Sequence, residues 1–290
     1  MALPSEPRLL ITGRTGFTAP YLVEAAHARG WLVVPVSRAF DLTEPVSIES
    51  CLREARPDYV VHLAGISHVA HPDPTALYRV NTVGTVNLLD AIERLGLPVR
   101  KIVLASSANV YGNVSAGLIA EDVVPQPVNH YGCSKLAMEH MARARFGRQP
   151  IVIARPFNYT GPGQSERFLI PKIVGHFVRR EPEIVLGNTA VARDFSDVRM
   201  VAEAYCRLLE GPLCAEIVNI CCGVARSLDS VLDTMRRLTG HCPNVRVDPG
   251  LVRADEVVSL AGDPGRLRAA TGALPHTDFD ETLRWMASAA

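Results

Sequence analysis

Tyr131 and Lys135 stand four residues apart in the run Tyr131-Gly132-Cys133-Ser134-Lys135. On a helix that spacing is one turn, so phenol and ammonium lie side by side. A phenol titrates near ~10, and bringing it about three pH units toward neutrality takes roughly 4 kcal/mol of preferential stabilisation of the phenolate, which a fixed cation nearby helps to supply. The pair suits acid/base work at a carbonyl or alcohol oxygen. Spacing alone also describes surface neighbours, so two upstream features matter. One is a serine pair, Ser106-Ser107, closing an apolar run; the other is a glycine-rich turn near the N-terminus.

That turn is Leu9-Leu10-Ile11-Thr12-Gly13-Arg14-Thr15-Gly16-Phe17-Thr18-Ala19, an apolar strand leading through glycines into a helical pattern at Tyr21, Leu22 and Ala25. Strand, glycine turn and helix N-terminus together make an anion site: the amides of Gly13, Thr15, Gly16 and Phe17 point outward, and missing side chains let a pyrophosphate approach. Ala19 takes the place of the third glycine of the usual fingerprint. That position serves close helix-to-strand packing, which alanine also allows.

The elements that must position these residues alternate along the chain. Apolar runs near 8–12, 31–37, 58–64, 100–107, 151–157 and 216–221 read as strands, with helical patterns between them. Runs such as Ile102-Val103-Leu104-Ala105 are apolar without a break, which suits strands buried on both faces. The expected fold is α/β, a doubly wound parallel sheet covered by helices. Glycine and proline thicken after residue 157, in Thr160-Gly161-Pro162-Gly163. A dinucleotide-binding domain over 1–158 is therefore expected, with a smaller substrate-binding region over 159–290 that returns in part to the first sheet at about 187–222. Ligands of such a sheet gather beyond the carboxyl ends of the strands. Those ends carry Ser37-Arg38, Leu63-Ala64-Gly65, Ser106-Ser107 and Arg155-Pro156-Phe157-Asn158. Small residues at Ala64 and Gly65 leave room for a flat cofactor, and the serines can donate to a substrate oxygen.

Composition sets outer limits. The 290 residues suffice for a full core, and Lys+Arg and Asp+Glu balance at 30 each, so no global field draws the chain to nucleic acid or an anionic membrane. A polyanionic ligand must be met by local cations. The start, Met1-Ala2-Leu3-Pro4-Ser5-Glu6-Pro7, lacks a charged leader, and no run of eighteen apolar residues follows, so a cytoplasmic protein is expected. The seven cysteines are odd in number and follow no disulfide or metal spacing, including Cys214, Cys221, Cys222 and Cys242 around His241. No metal site is expected. His68 and His71 fall in a proline-rich loop and read as solvated.

Together these motifs resemble the extended short-chain dehydrogenase/reductase superfamily of sugar-nucleotide epimerases, dehydratases and reductases, and the likeness spans nearly the whole chain. It rests on Thr12-Gly13-Arg14-Thr15-Gly16-Phe17, the Asp58 to Ala64 run, Asn81-Thr82-Val83-Gly84-Thr85, Ser106-Ser107-Ala108-Asn109-Val110-Tyr111-Gly112, and the Tyr131/Lys135 pair. The resemblance implies a Rossmann sheet and a catalytic set of Ser107, Tyr131 and Lys135. It also implies cofactor contacts from Asn81, from the Asp41-Leu42-Thr43 stretch, with Asp41 near adenine, and from Leu63 and Phe157, beside the roles of Tyr131 and Lys135.

Arg155-Pro156-Phe157-Asn158-Tyr159-Thr160-Gly161-Pro162-Gly163-Gln164 and Arg193-Asp194-Phe195-Ser196-Asp197-Val198 look like the GDP-mannose 4,6-dehydratase and GDP-4-keto-6-deoxymannose reductase group. Dehydratases follow the catalytic Ser/Thr with acidic residues. Here Ala108 and Asn109 stand there, and neither can act as general acid or base, so ketone reduction or epimerisation remains. In a reduction, Tyr131 protonates the developing alkoxide, Ser107 hydrogen-bonds the same oxygen, and Lys135 lowers the tyrosine pKa and holds the nicotinamide ribose. Ser37 and Arg38 stand where NAD-preferring sites carry an acid, which favours NADP; Asp41 keeps NAD possible. By the same resemblance Asn109, Asn158, Lys172, Arg193 and Arg253 contact the substrate, a nucleotide-diphosphate sugar with GDP favoured, and Arg199 and Arg226 are further candidates. Competing readings are a 4-epimerase holding oxidised NAD tightly and a non-catalytic regulator on the same fold. A homodimer through helices near 85–96 and 129–146 is expected, with Ala137, Ala142 and Ala144 permitting close packing.

Overall fold

The computed structural model describes residues 6–37, 40–69, 71–114, 117–189, 191–251, 259–275 and 277–290. Its first half runs β1 (Arg8–Thr12), α1 (Ala19–His27), β2 (Leu32–Val34), α2 (Pro45–Ala55), β3 (Tyr59–His62), α3 (Pro74–Leu77), a wide helical turn (Tyr78–Val83), α4 (Gly84–Arg94), β4 (Lys101–Ala105), a tight turn (Ala108–Tyr111), β5 (Leu118–Ile119), α5 (His130–Arg143) and β6 (Ile151–Pro156). The second half runs β7 (Asn158–Thr160), α6 (Leu169–Val178), β8 (Glu183–Leu186), β9 (Ala192–Asp197), α7 (Val198–Glu210), β10 (Glu216–Ile220), β11 (Ala225–Ser227), α8 (Leu228–Thr239), β12 (Asn244–Val247), β13 (Ser259–Gly262), α9 (Gly265–Thr271) and α10 (Phe279–Ala289).

The unbroken apolar runs become a six-stranded sheet in the order β10-β6-β4-β3-β1-β2, with every neighbouring pair parallel. Alternate residues of one strand feed two cores. Leu9, Ile11, Val61, Val103, Val152 and Ala154 pack with α1 and α7, while Leu10, Val60, Ile102, Leu104, Ile151 and Ile153 pack with α2, α4 and α5. Each fully buried side chain of this kind contributes about 1.5–3 kcal/mol of transfer free energy, so both faces must be covered for such strands to form. The fold is therefore the doubly wound α/β sheet that the sequence implies. Neighbours change side between β1 and β3, which opens a crevice at their carboxyl ends.

Two strands stop earlier than the apolar runs suggest. β2 ends at Val34 because Pro35 has no N–H to continue a ladder. β4 ends at Ala105 because Ser107 turns to cap the Ala108–Tyr111 turn, its Oγ accepting from the Asn109 N–H at 3.2 Å.

β10 returns to the first sheet beside β6 after an excursion through β7, α6, β8, β9 and α7. The excursion and the C-terminal elements build a second body of short strands: β9 pairs with β7, β11 and β13, and β13 with β5. β8 and β12 form a separate parallel pair. Its core is Ile170, Ile173, Phe177, Phe195, Leu232, Met235 and Leu283, from α6, α8, α10 and β9. No helix among the described residues is long and apolar enough to cross a membrane.

Candidate active site

The glycine turn sits at the β1 end of the crevice. Gly13 adopts φ +76°, and a Cβ there would lie 2.7 Å from the Ala64 amide nitrogen. Only glycine lets the turn close against the end of β3. Gly16 N–H donates to the Gly13 carbonyl at 2.9 Å, and Thr15 and Gly16 are exposed. At the start of α1 Thr18 provides no side-chain cap; its hydroxyl pairs instead with the Tyr159 hydroxyl at 2.9 Å. Phe17 stacks on Tyr159 with ring centroids 6.0 Å apart. Uncapped first-turn amides beside glycines with no side chains fit a pyrophosphate. Gly65 continues the cradle, since a Cβ there would stand 2.8 Å from Asn81 Oδ1 and 3.4 Å from Lys135 Nζ.

Ser107, Tyr131 and Lys135 come together at the carboxyl end of β4, each about nine-tenths buried. Asn129 caps α5 by accepting from the Gly132 N–H at 2.8 Å. A Cβ on Gly132 would lie 2.6 Å from the Asn109 carbonyl oxygen, so glycine at this position lets α5 dock on the turn that carries Ser107. The Ser107 hydroxyl lowers the pKa of the Tyr131 phenol beside it. Its Oγ already accepts from Asn109 N and from Asn109 Nδ2, both at 3.2 Å, which leaves its own proton to be given to the phenol oxygen. Burial pushes the Tyr131 phenol up to about 12, and the Ser107 bond pulls it partly back. Lys135 is pulled down to about 8 by burial, with Glu139 opposing. Its Nζ donates to the Ala105 carbonyl at 2.7 Å. In this arrangement burial leaves Tyr131 above its usual value, and the Lys135 ammonium is turned to a main-chain oxygen.

Behind the catalytic set lies a buried polar network that the sequence reading missed. Glu139, one turn beyond Lys135, accepts from Arg155 Nε at 2.9 Å, Arg155 Nη2 at 2.6 Å and Ser106 Oγ at 2.5 Å. Arg155 lies over the Tyr111 ring, 4.8 Å from its centroid, and the Tyr111 hydroxyl donates to Asn219 at 2.7 Å. Removing one partner of such a pair leaves an uncompensated buried charge, a loss of about 3–5 kcal/mol. The signal available in sequence was the i, i+4 spacing of Lys135 and Glu139.

Several expected contact residues have other engagements. Asn81 Oδ1 accepts from Ile66 N–H at 2.8 Å, and its Nδ2 donates to Ile66 O and Ser134 Oγ, both at 3.1 Å, so the side chain ties the exit of β3 to α5. Phe157 is buried with Tyr111, Ile119 and Cys221. Asp41 accepts from the Thr43 N–H and hydroxyl, both at 2.8 Å, which holds its carboxyl low in pKa. Leu42 is buried under Gly84, while Ser37 is exposed beyond β2. Leu63 and Ala64 line the end of β3, half-buried. Lys172 Nζ donates to Val185 O at 2.7 Å, and Asn158 is exposed on β7. Arg193 and Arg226 stand directly opposite each other across β9 and β11. Arg199 forms a two-pronged pair with Asp197 and lies 4.0 Å over Trp285. Arg38 and Arg253 lie outside the described residues.

The model of the NAD dependent epimerase/dehydratase family matches residues 9–221. Among curated relatives, the GDP-6-deoxy-D-talose 4-dehydrogenase of Aggregatibacter actinomycetemcomitans is 34% identical over 90% of this chain and 90% of its own length. The GDP-6-deoxy-D-mannose reductase of Pseudomonas aeruginosa is 33% identical over 96% of this chain and 95% of its own. A solved structure, RMD from Pseudomonas aeruginosa complexed with NADPH, superposes with TM-score 0.91 at 32% identity, covering 97% of this chain and 98% of that one.

Proposed function

From the premise that the chain belongs to the NAD dependent epimerase/dehydratase family, we propose that it reduces the C4 ketone of a GDP-activated 4-keto-6-deoxy sugar with NADPH. The observation that carries this reading is the proton inventory beside Ser107. A phenol raised to about 12 by burial is fully protonated at neutral pH, so it can give a proton to an oxygen that gains charge at the site. Where an elimination would need a carboxylate, Asn109 instead gives its amide to Ser107. Two relatives that act on GDP-6-deoxy sugars support the substrate class.

The glycine turn, Gly65 and Lys135 hold the dinucleotide, which when bound supplies the hydride for C4. Tyr131 gives its proton to the alkoxide that forms on the C4 oxygen. Ser107, oriented by two N–H donors from Asn109, gives its hydrogen bond to the phenolate left behind, and the Lys135 ammonium stabilises that charge across the turn. The 2′-phosphate of NADPH meets no carboxylate at Ser37, and Asp41 is already occupied by Thr43, so NADPH is favoured over NADH. Arg193 and Arg226, opposed across two strands, present guanidinium groups suited to a diphosphate, with Arg226 Nε buried and without a protein partner.

The chain works as a cytoplasmic homodimer through α4 and α5, where Val83, immediately before α4, and Met141, on α5, are exposed large apolar side chains. Ala142 does not serve this contact, because it is fully buried in the protein's own core. Incubation with GDP-4-keto-6-deoxymannose and NADPH, with the absorbance loss and the product sugar both quantified, tests the reading. One NADPH oxidised per C4 alcohol formed is the expected result. Interconversion of C4 epimers without net NADPH loss would replace it with the epimerase, and no turnover over a panel of keto-sugar nucleotides with the regulator.

A further inference from the structure

His62 is the last residue of β3, 2% exposed, and neither acid/base chemistry nor ligand contact uses it. In the sheet it sits in register with Thr12 on one side and Leu104 on the other. Its Nδ1 lies 2.7 Å from Thr12 Oγ1 and its Nε2 lies 2.9 Å from Thr85 Oγ1.

The neighbours fix every proton. The Thr85 hydroxyl gives its one hydrogen to the Asn81 carbonyl and so accepts from His62 Nε2, which leaves Nδ1 to accept the hydrogen of Thr12 Oγ1, itself an acceptor of the Ala64 N–H at 3.2 Å. Nδ1 is then an acceptor, and the ring proton stands on Nε2. Nε2–H donates to Thr85, whose hydroxyl donates onward to the Asn81 carbonyl at 2.8 Å. A neutral imidazole in one tautomer satisfies the set, and protonation of Nδ1 would face two donors against each other. Burial and the nearby Lys135 charge hold the ring neutral.

The two ends of this chain are the two halves of the site. Thr12 immediately precedes Gly13 and, through Ala64, sets how closely the glycine turn approaches β3. Asn81 holds Ile66 and reaches Ser134, whose Oγ donates to the Tyr131 carbonyl at 2.8 Å. We propose that His62 is a positioning residue that locks the pyrophosphate-binding turn in register with the helix carrying Tyr131 and Lys135. The proposal rests on the reading of the glycine turn as the dinucleotide site. A leucine would fill the same volume without burying two polar nitrogens, so packing alone does not explain an imidazole here.

Three variants separate the two ends. His62→Asn keeps an acceptor for Thr12 but stops short of Thr85; His62→Gln reaches Thr85 but leaves Thr12 without its acceptor; His62→Leu loses both. NADPH affinity is read by fluorescence titration without substrate, kcat at saturating NADPH, and Tm by calorimetry. His62→Gln is expected to weaken NADPH about tenfold with kcat nearly kept, and His62→Asn to lower kcat about tenfold with NADPH affinity nearly kept, each the effect of one lost buried hydrogen bond. His62→Leu shows both losses. If Asn and Gln change the two parameters in parallel, following Tm, the residue is structural and the proposal is overturned. If His62→Leu does not fold, the Asn/Gln contrast alone decides. Wild type that binds neither NADPH nor NADH overturns the cofactor reading and this proposal together, whereas tight binding with unaltered variants overturns this proposal alone.

Discussion

The six-stranded sheet and the C-terminal body of short strands solve different problems with similar side chains. At the sheet, Ser107, Tyr131 and Lys135 are buried, and each has an assigned partner: Asn109, Ser107 and the Ala105 carbonyl. In the C-terminal body two of the expected substrate cations give hydrogen bonds to main-chain oxygens, Lys172 to Val185 and Arg193 to Ala192. The core of that body is drawn from three helices more than from strands. Groups that must meet a reacting atom within a few tenths of an ångström are built on elements whose movement would break a core. Groups that choose among ligands sit where sequence can change without unfolding anything.

Substitutions in the two regions should therefore fail differently. The largest effect belongs to the sheet. Tyr131→Phe removes the proton donor and leaves α5 and the glycine turn in place, so kcat should fall at least about a hundredfold with NADPH affinity changed less than about twofold. Steady-state kinetics beside fluorescence titration measure both, and retention of more than about a tenth of the rate would end the proposed role.

Next in size is a pH limb. Lys135 is held near 8 by burial, so the ammonium that supports the phenolate is lost above that pH. The kcat/KM profile should fall on its alkaline side with an apparent pKa of about 8, approaching tenfold per pH unit. Lys135→Arg should move that limb up and out of the measured range. A flat profile to pH 10 in wild type would show that the cation is dispensable.

A smaller loss, confined to one ligand, is expected in the C-terminal body. Arg226→Ala should weaken GDP about tenfold by calorimetric titration while NADPH binding and Tm stay near wild type, the pattern of one lost charge-assisted contact at a surface. A parallel drop in Tm would mean that Arg226, 5.4 Å over the Phe279 ring, is packing and not recognition.

Legibility in the sequence divides along the same line. Leu9-Leu10-Ile11 announces a strand buried on both faces because adjacent residues are equally apolar, and the two cores then take alternate ones. The order of glycine turn, serine pair and Tyr131/Lys135 located the crevice because those residues depend on local backbone. The partners were not legible. That Asn81 ties β3 to α5, that Lys172 turns to Val185, that Phe157 is buried and that burial raises Tyr131 are all consequences of what lies across the fold, at separations no local pattern encodes. Glu139 and Arg155 are sixteen residues apart in sequence and share a bond only because α5 crosses over β6.

The last predicted effect, read in stability and not in activity or affinity, tests whether the sheet half is as rigid as its hydrogen bonds imply. Burial holds His62 at about 3, far below the usual 6.5. Between those two values the unfolded chain binds a proton that the folded protein refuses, so stability rises with pH across the window and is lost as pH falls from about 6.5 toward 3. One such group contributes a slope of at most about 1.4 kcal/mol per pH unit. Carboxylates also titrate in the lower part of the window, but they are common to wild type and His62→Asn and cancel in the difference. Calorimetric melts at half-unit intervals from pH 7 to pH 4 should therefore show a shallower fall of Tm in His62→Asn than in wild type, whatever the offset between the curves at pH 7. Parallel curves would mean that the folded protein accepts a proton on His62 at ordinary pH, and a ring that can be protonated cannot hold the single tautomer that Thr12 and Thr85 demand.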